Sequence, residues 1–358
     1  MNEPLYRKVK AQLQSDIGRG KWAVGDCLPG ELELCREFGV SRFTVRQALL
    51  ELTNEGLLSR HAGKGTFLES ARPVQKAEET NKGKQLGLVL PYVADAHTGR
   101  ILKGAEREAT ANGYRVIFVN SQDAADEWSL LDALYQEGVA GIIYYFGVLS
   151  QAEESVLRLR ENARPFVLVD HYLPEIPTDF VAADNFMGSY QAVKHLLSLG
   201  HTRIAMMFCD REMSSIGQRI KGYQLAMQSA GVSICPELLL LKRERVISDA
   251  EIERFIKGKE MTALFTTDLI AIRAMRLAAQ AGVKVPEQLS IVGFDNIAVG
   301  SLLLPTLTTI EQHCEEMGEQ AVKILINKIK GSDGLTQKIL KTQFLARLST
   351  TERKSSEP

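Results

Sequence analysis

A chain of 358 residues, 45% hydrophobic and 24% charged, is longer than one core usually organises, and it predicts two or three globular domains. A net charge of −1 excludes a uniformly basic nucleic-acid binder, so any contact with DNA has to come from a local patch. The five cysteines, Cys27, Cys35, Cys209, Cys235 and Cys314, are odd in number, scattered and never spaced C-x-x-C, which argues against a disulfide framework or a zinc site.

The first predicted element is a helix in PLYRKVKAQLQSDIGRG, where Leu5, Val9, Leu13 and Ile17 recur on one face and Gly18 and Gly20 stop the pattern. This start is charged and lacks the apolar stretch of a signal peptide. No segment nears the roughly eighteen apolar residues of a membrane span, so a cytoplasmic protein with no membrane partner is expected. A short second helix follows Pro29, from about Glu31 to Phe38. After the Gly39-Val40 turn, Ser41 can accept from the free amides of a third helix. There Val45, Ala48, Leu49 and Leu52 fall on one side, and Arg42, Phe43, Arg46 and Gln47 on another. Leu50 sits near the polar set with no assigned role beyond packing against a neighbour. Gly56 ends the helix, and LLSRH and GTFLE read as two short strands joined by Ala62–Gly65. Three helices followed by a hairpin is the order of a winged helix-turn-helix.

The polar groups of this module have a plain chemistry. An arginine fork takes guanine O6 and N7 or a phosphate, and Ser41 and Thr44 can hold phosphates. Gly63 and Gly65 let a hairpin tip approach a groove, where Lys64 adds charge. Without this context, Arg42 and Arg46 are simply two exposed helix residues four apart.

ARPVQKAEETNKGK, residues 71–84, breaks the composition and reads as a linker. Beyond it come seven continuous apolar runs: QLGLVL (85–90), RVIFVN (115–120), AGIIYY (140–145), PFVLVD (165–170), RIAMMF (203–208), TALFTT (262–267) and LSIVGF (289–294). Amphipathic stretches separate them, the pattern of parallel sheets covered on both faces. The expected fold class is therefore α/β, a two-lobed domain of parallel sheets behind an N-terminal winged helix-turn-helix. Asp184 or Asn185 can cap the helix that follows, with Val193, Leu196 and Leu197 on its buried stripe. The expected divisions are a DNA-binding domain at 1–70, a linker at 71–84, a ligand-binding and dimerisation domain at 85–350, and a flexible tail at 351–358.

LPGELELCREFGVSRFTVRQALLELTNEGLLSRHAGKGTF resembles the DNA-binding domain of the gluconate-repressor (GntR) family, over nearly all of residues 4–68. The resemblance implies DNA contacts from Arg42, Thr44 and Arg46, with the hairpin at Gly63–Gly65 as the wing. Gly30 stands where that family usually has a serine or threonine cap, and Leu32 where some members have a DNA-contacting arginine.

The larger region resembles the sensor domain of the lactose-repressor (LacI) family and the periplasmic sugar-binding proteins. The carrying segments include LGLVLPYVADAHTGRILKGAEREATANGY, VAADNFMGSYQAVKHLLSLGHTRIA, QRIKGYQLAM, FTTDLIAIRAMRLAAQAGVKVPEQLSIVGFD and PTLTTIEQHCEEMGEQAVKIL. A gluconate-type reader fused to a lactose-type sensor is the arrangement of the arabinose repressors. Strand-end position and resemblance together select Tyr92, Asp95, His97, Tyr145, Asp170, Arg219, Asp268 and Asp295 as ligand contacts. Arg219 matches the R-x-x-GY motif and Asp295 the aspartate of VGFD.

Several of these residues have structural alternatives. Asp268 can cap the helix it begins, Asp295 can stabilise its own turn, and His97 can be a structural histidine. Tyr144 and Tyr145 point to opposite faces, so at most one reaches the cleft. Asp95-Ala96-His97-Thr98 replaces an aromatic pair common in relatives and Thr267 a common asparagine, which leads us to expect a small polar pocket.

The resemblances imply a repressor of a sugar-utilisation operon, homodimeric on double-stranded operator DNA. A small-molecule effector, a monosaccharide by resemblance, binds between the lobes and releases DNA. Competing classes are a regulator sensing a non-sugar metabolite, a sugar-processing enzyme and a transport binding protein. No Gly-x-Ser-x-Gly elbow, phosphate-binding glycine loop or metal-ligand spacing is present, so no catalytic residue, cofactor or metal is expected.

Overall fold

The computed structural model describes residues 5–61, 65–70, 84–91, 96–122, 124, 126–243, 246–258 and 260–353. The chain separates into two compact units, Met1–Lys82 and Gly83–Pro358. The expected wing tip, Gly63 and Lys64, the expected contacts Tyr92 and Asp95, and nearly all of the expected linker lie outside the described residues.

In the first unit α1 (Leu5–Gly18), α2 (Glu31–Phe38) and α3 (Arg42–Asn54) precede an antiparallel hairpin of β1 (Leu58–His61) and β2 (Gly65–Leu68). The apolar series of α1 buries Val9, Leu13 and Ile17 against Leu34 and the Val45, Ala48, Leu49 and Leu52 stripe of α3. Burying side chains of this size contributes about 1.5–3 kcal/mol each, which outweighs the modest intrinsic propensity of such short helices. Leu5 and Leu50, expected to pack, are exposed instead. Gly39 ends α2 at φ 63°, a left-handed turn that glycine adopts without strain. Two residues later Ser41 Oγ accepts from Thr44 N at 3.3 Å and caps α3.

The second unit is two lobes joined by three crossings. The first lobe lays down β3 (Gln85–Leu90), α4 (Ala96–Ala111), β4 (Arg115–Asn120), α5 (Glu127–Gln136), β5 (Gly141–Tyr144), α6 (Leu149–Glu161), β6 (Phe166–Val169) and β7 (Phe180–Ala183). The chain then crosses to the second lobe. There it forms α7 (Asn185–Ser198), β8 (Ile204–Phe208), α8 (Ser214–Ser229), β9 (Leu239–Leu241), α9 (Asp249–Gly258), β10 (Ala263–Thr266), α10 (Asp268–Gln280), β11 (Ser290–Val292) and β12 (Thr309–Glu311). It returns for α11 (Cys314–Ile329) and β13 (Gln337–Leu340), and a last crossing leads to β14 (Gln343–Leu345), antiparallel to β12.

The first-lobe sheet has the order β4-β3-β5-β6-β7-β13 and the second β9-β8-β10-β11, and every pairing in both is parallel. All seven apolar runs form strands; burial on both faces explains why six of them do not alternate, while edge strand β4 is only half-buried. In the first lobe α4 and α11 pack backbone to backbone. A Cβ on Gly104 would lie 1.9 Å from Glu315 O, and one on Gly318 2.1 Å from Ile101 O. Asp184 caps α7, accepting from Met187 N at 2.9 Å.

Chain order reverses at β3/β5 in one sheet and at β8/β10 in the other. Crevices open at such switch points beyond the carboxyl ends of strands, and here both lie where the crossings join the lobes. Among the described residues no helix is long and apolar enough to cross a membrane.

Candidate functional site

Two sets of polar residues stand out, one in each unit. In the first unit, Arg42 and Arg46 project from the opening turns of α3 beside its Ser41 cap and Thr44, all four exposed or half-exposed. They are not loose. Glu31, at the start of α2, accepts from Arg42 Nε at 2.9 Å, from Arg46 Nη2 at 3.1 Å and from Arg60 Nη2 of β1 at 2.6 Å. Hydrogen bonds from Arg46 and then Arg42 hold the Glu31 carboxyl down at about 2, against partial desolvation.

One carboxylate of α2 therefore orients three guanidinium forks, two from α3 and one from β1, on one surface, a preorganisation that lowers the entropy cost of docking. Gly30 has no capping side chain, so Glu33 reaches back to Gly30 N at 3.3 Å. Leu32 is exposed. Gly65 has φ 119°, and a Cβ there would meet Cys27 Sγ at 2.8 Å, so this glycine is needed to seat the hairpin.

Glu31 was not identified from the sequence. An acid in the first turn of a helix already has a reason to be there, in the helix dipole, and only the α2–α3 crossing reveals its second role. Replacing it by glutamine is expected to lower the ratio of operator to scrambled-duplex affinity about 3- to 10-fold. Non-specific binding should hold or rise, because a negative charge is removed beside three phosphate-seeking groups. Fluorescence anisotropy on both duplexes measures this, and an unchanged ratio would show that Glu31 does not organise the arginines.

In the second unit a cavity of about 710 Å³ lies between the lobes. His97, Tyr145 and Asp170 line it from the first lobe, Arg219 and Asp295 from the second, and Gln312 from the β12–α11 crossing. Of the eight residues expected there, these five converge and Tyr92 and Asp95 are not described. Asp268 is buried but does not line the cavity. Its Oδ1 accepts from Thr309 Oγ1 at 2.6 Å and its Oδ2 from Ile297 N at 2.9 Å. Burial pushes its carboxyl up to about 6. It neither caps α10, whose N-cap is Thr267, nor faces the cavity; it ties α10 to β12 and the Ile297 loop.

Arg219 is held from several sides. Its Nε donates to Asn185 Oδ1 at 2.8 Å, its Nη2 lies 3.7 Å from Asp295 Oδ1, and its guanidinium stacks 3.7 Å from the Phe294 ring centroid. Gln312 Nε2 donates to Asp295 Oδ1 at 2.6 Å. Asp295 has φ 121° and Asp170 φ 67°, conformations costly for side-chain-bearing residues that aim both carboxylates inward.

Across the cavity, His97 Nε2 lies 3.0 Å from Asp170 Oδ1, with Cys314 Sγ 3.2 Å from its Nδ1. Burial disfavours the imidazolium, but Cys314 and Asp170 outweigh it and hold His97 well above the usual histidine range. Burial works against the Asp170 carboxylate, but the His97 imidazolium that bonds it and the nearby Arg219 guanidinium hold it below the usual carboxylate range. Burial drops neighbouring His171 to about 4, so it is neutral. Its Nδ1 lies 2.9 Å from Ser215 Oγ of α8, a hydrogen bond that spans the lobes.

Tyr144 is core and bonds Glu127, while Tyr145 reaches the cavity and meets His171 edge-on at 4.9 Å. The expectation of a small polar pocket requires correction. An aliphatic wall of Val148, Ile216, Val246, Ile247, Leu269 and Ile270 faces the polar end, with Asp210, which burial pushes up to about 6, also in the lining. Gln312 and Asn185 follow none of the seven apolar runs, whereas His171 directly follows the β6 run beside Asp170 and shares its strand-end position. Among the described residues no group of three or more His, Cys, Asp or Glu could hold a metal ion.

An arginine-bearing winged helix-turn-helix in one unit and a two-lobed cleft of facing carboxylates, guanidinium and amide in the other define a ligand-sensing DNA-binding regulator. The family profile described as bacterial regulatory proteins, gntR family, matches residues 5–68, and that of the periplasmic binding protein-like domain matches residues 193–350. The chain is 30% identical over 362 residues to the arabinose metabolism transcriptional repressor of Geobacillus stearothermophilus, covering 98% of both chains. It is 29% identical over 375 residues to the repressor of the same name from Halalkalibacterium halodurans, covering 99% of both. A solved LacI family transcriptional regulator from Enterococcus faecium with bound ribose matches at a TM-score of 0.66 and 27% identity, over 76% of this chain and 100% of that one. The protein belongs to the family of transcriptional repressors that join a gntR-type DNA-binding domain to a periplasmic-binding-protein-like sensor.

Proposed function

We propose that this protein is a homodimeric repressor of a sugar-utilisation operon, whose effector, a monosaccharide, binds between the lobes and releases operator DNA. The observation that carries the reading is the convergence of Asp170, Arg219, Asp295 and Gln312 on one interlobe cavity. Sugar hydroxyls both donate and accept, and this set offers two carboxylates, a guanidinium and an amide side by side. Closure on such a ligand bends the three crossings, which supports a change of lobe geometry as the signal.

In this reading residues 1–70 bind DNA, 71–84 link, 85–350 sense and dimerise, and 351–358 form a tail. Ser41, Arg42, Thr44, Arg46 and the Gly63–Gly65 wing contact DNA, and Tyr92 and Asp95 join the described residues at the cavity. The chain works in the cytoplasm, as a binder rather than an enzyme. Dimerisation accords with a small reader, since one recognition helix buries too little for tight operator binding. It also accords with Leu302 and Leu304, which are 80% and 93% exposed on one loop of the second lobe. The aliphatic wall supports a second reading, an effector with a substantial apolar part or a non-sugar metabolite.

Full-length protein tested on DNA upstream of its own gene should bind as a particle of about twice 39.7 kDa. One member of a panel of free pentoses and hexoses should weaken binding about 5- to 150-fold, the usual range of allosteric coupling. By linkage, operator should weaken that sugar's affinity by the same factor in calorimetry. Heat from a non-sugar metabolite alone would favour the second reading, and product formation would overturn the non-enzyme assignment.

A further inference from the structure

The residue foremost on the DNA-reading helix is neither of the arginines. At 3.6 residues per turn, Phe43, Gln47 and Leu50 share a sector of about 60° on α3, diametrically opposite Leu52 in the core. Arg46 and Arg42 lie to one flank of that ridge, where Glu31 draws them toward α2. Phe43 is 79% exposed in the first turn of α3, and Leu50 is 45% exposed two turns further on. A large aromatic left this open, between capped amides and guanidinium groups, calls for an occupant that is anionic at its edges and apolar at its centre.

The major groove of DNA has that character, with phosphates on its walls and the thymine 5-methyl group as the apolar feature of its floor. The opening turn of a recognition helix is the part that meets base edges. We propose that Phe43 reads the 5-methyl group of a thymine in each operator half-site, a specificity contact separate from those of Arg42 and Arg46. The proposal rests on the DNA-reading role of α3. Here Arg42 and Arg46 supply phosphate or guanine contacts from the flank, and Phe43 supplies discrimination by shape and desolvation of one methyl group. Leu50, further along the same ridge, follows the groove wall.

The test starts by selecting duplexes from a random library with the full-length protein. Each thymine of the selected sequence is then replaced in turn by deoxyuridine, which removes only the methyl group. At one position per half-site this replacement should weaken wild-type binding about 3- to 10-fold. In Phe43→Ala the penalty at that position should vanish, Phe43→Leu should keep part of it, and the dependence on salt should stay as in wild type, because no phosphate contact is lost. Since Phe43 is exposed, both variants should keep the wild-type circular dichroism and melting temperature.

The proposal is overturned if no deoxyuridine weakens wild-type binding, or if Phe43→Ala pays the same penalty as wild type. It is also overturned if Phe43→Ala changes the sedimenting mass, which would make this ridge a contact between copies of the chain. Failure of the wild type to enrich any sequence would overturn the DNA-reading role of α3 itself, and the proposal with it.

Discussion

Arg46→Ala is expected to erase operator discrimination while leaving the protein folded and able to bind its effector. The Arg46 side chain is more than half exposed, so its removal leaves no cavity and costs the first unit little stability. Its fork is held by Glu31 at 3.1 Å and 3.3 Å in a fixed orientation, and a fixed fork suits bidentate contact with guanine. A good bidentate base contact is worth about 1–3 kcal/mol of discrimination, and a dimer loses two, so about 2–6 kcal/mol should disappear. That is roughly 30-fold at the low end and more than 1,000-fold at the high end. Affinity for scrambled duplex should fall far less, since Arg42 and Arg60 remain. Titrating both duplexes at fixed salt measures the two effects separately. Equal operator affinity in wild type and variant would remove Arg46 from base reading, and an equal loss on both duplexes would make it a phosphate contact.

How much of this was legible in the sequence follows from how far apart the interacting residues are. The first unit was readable almost throughout because its signals are local: the Ser41 cap, the Val45-Leu49-Leu52 stripe and the Gly39 turn each act within a few residues. Seven strands, six of them buried and β4 half-buried at the sheet edge, declared themselves as continuous apolar runs. By contrast β7 is only four residues, FVAA, running directly into the capped α7. β13 reads QKIL, a short mixed edge segment whose partner β7 lies more than 150 residues earlier. Neither carries enough pattern to be recognised without the sheet it completes.

The site divides in the same way. Arg219 and Asp295 lie in recognisable motifs, but the scaffold role of Asp268 depends on Thr309 and Ile297, brought to it only by the fold. Gln312 is positioned by the β12–α11 crossing, a segment with no local signature of a cleft. The same is true of the Glu31 hub, since its three partners come from two other elements of the first unit.

Arg219→Ala should sever effector from operator. The side chain is buried, anchored by Asn185 and Phe294, and lies beside the Asp295 carboxylate at the polar end of the cavity. Hydrogen bonds to a charged group are worth about 1.5–3 kcal/mol each, so losing a fork that makes two of them to sugar hydroxyls should weaken effector binding about 100-fold or more. Asp295 and Asn185 would also lose their cationic neighbour and donor, so the melting temperature should fall by a few degrees. That fall alone cannot distinguish a ligand contact from a structural arginine. The decisive reading is the stabilisation added by a sugar that binds wild type, measured from each protein's own baseline.

For Arg219→Ala that increment should vanish while operator affinity stays within a few-fold of wild type, giving repression that sugar no longer relieves. Arg219→Lys, which keeps the charge but loses the planar fork and the full stack on Phe294, should fall between the two. If Arg219→Ala still binds the sugar within a few-fold of wild type, Arg219 serves only to join Asn185, Phe294 and Asp295. The polar contacts of the effector would then have to come from the first-lobe wall of Asp170, His97 and Tyr145.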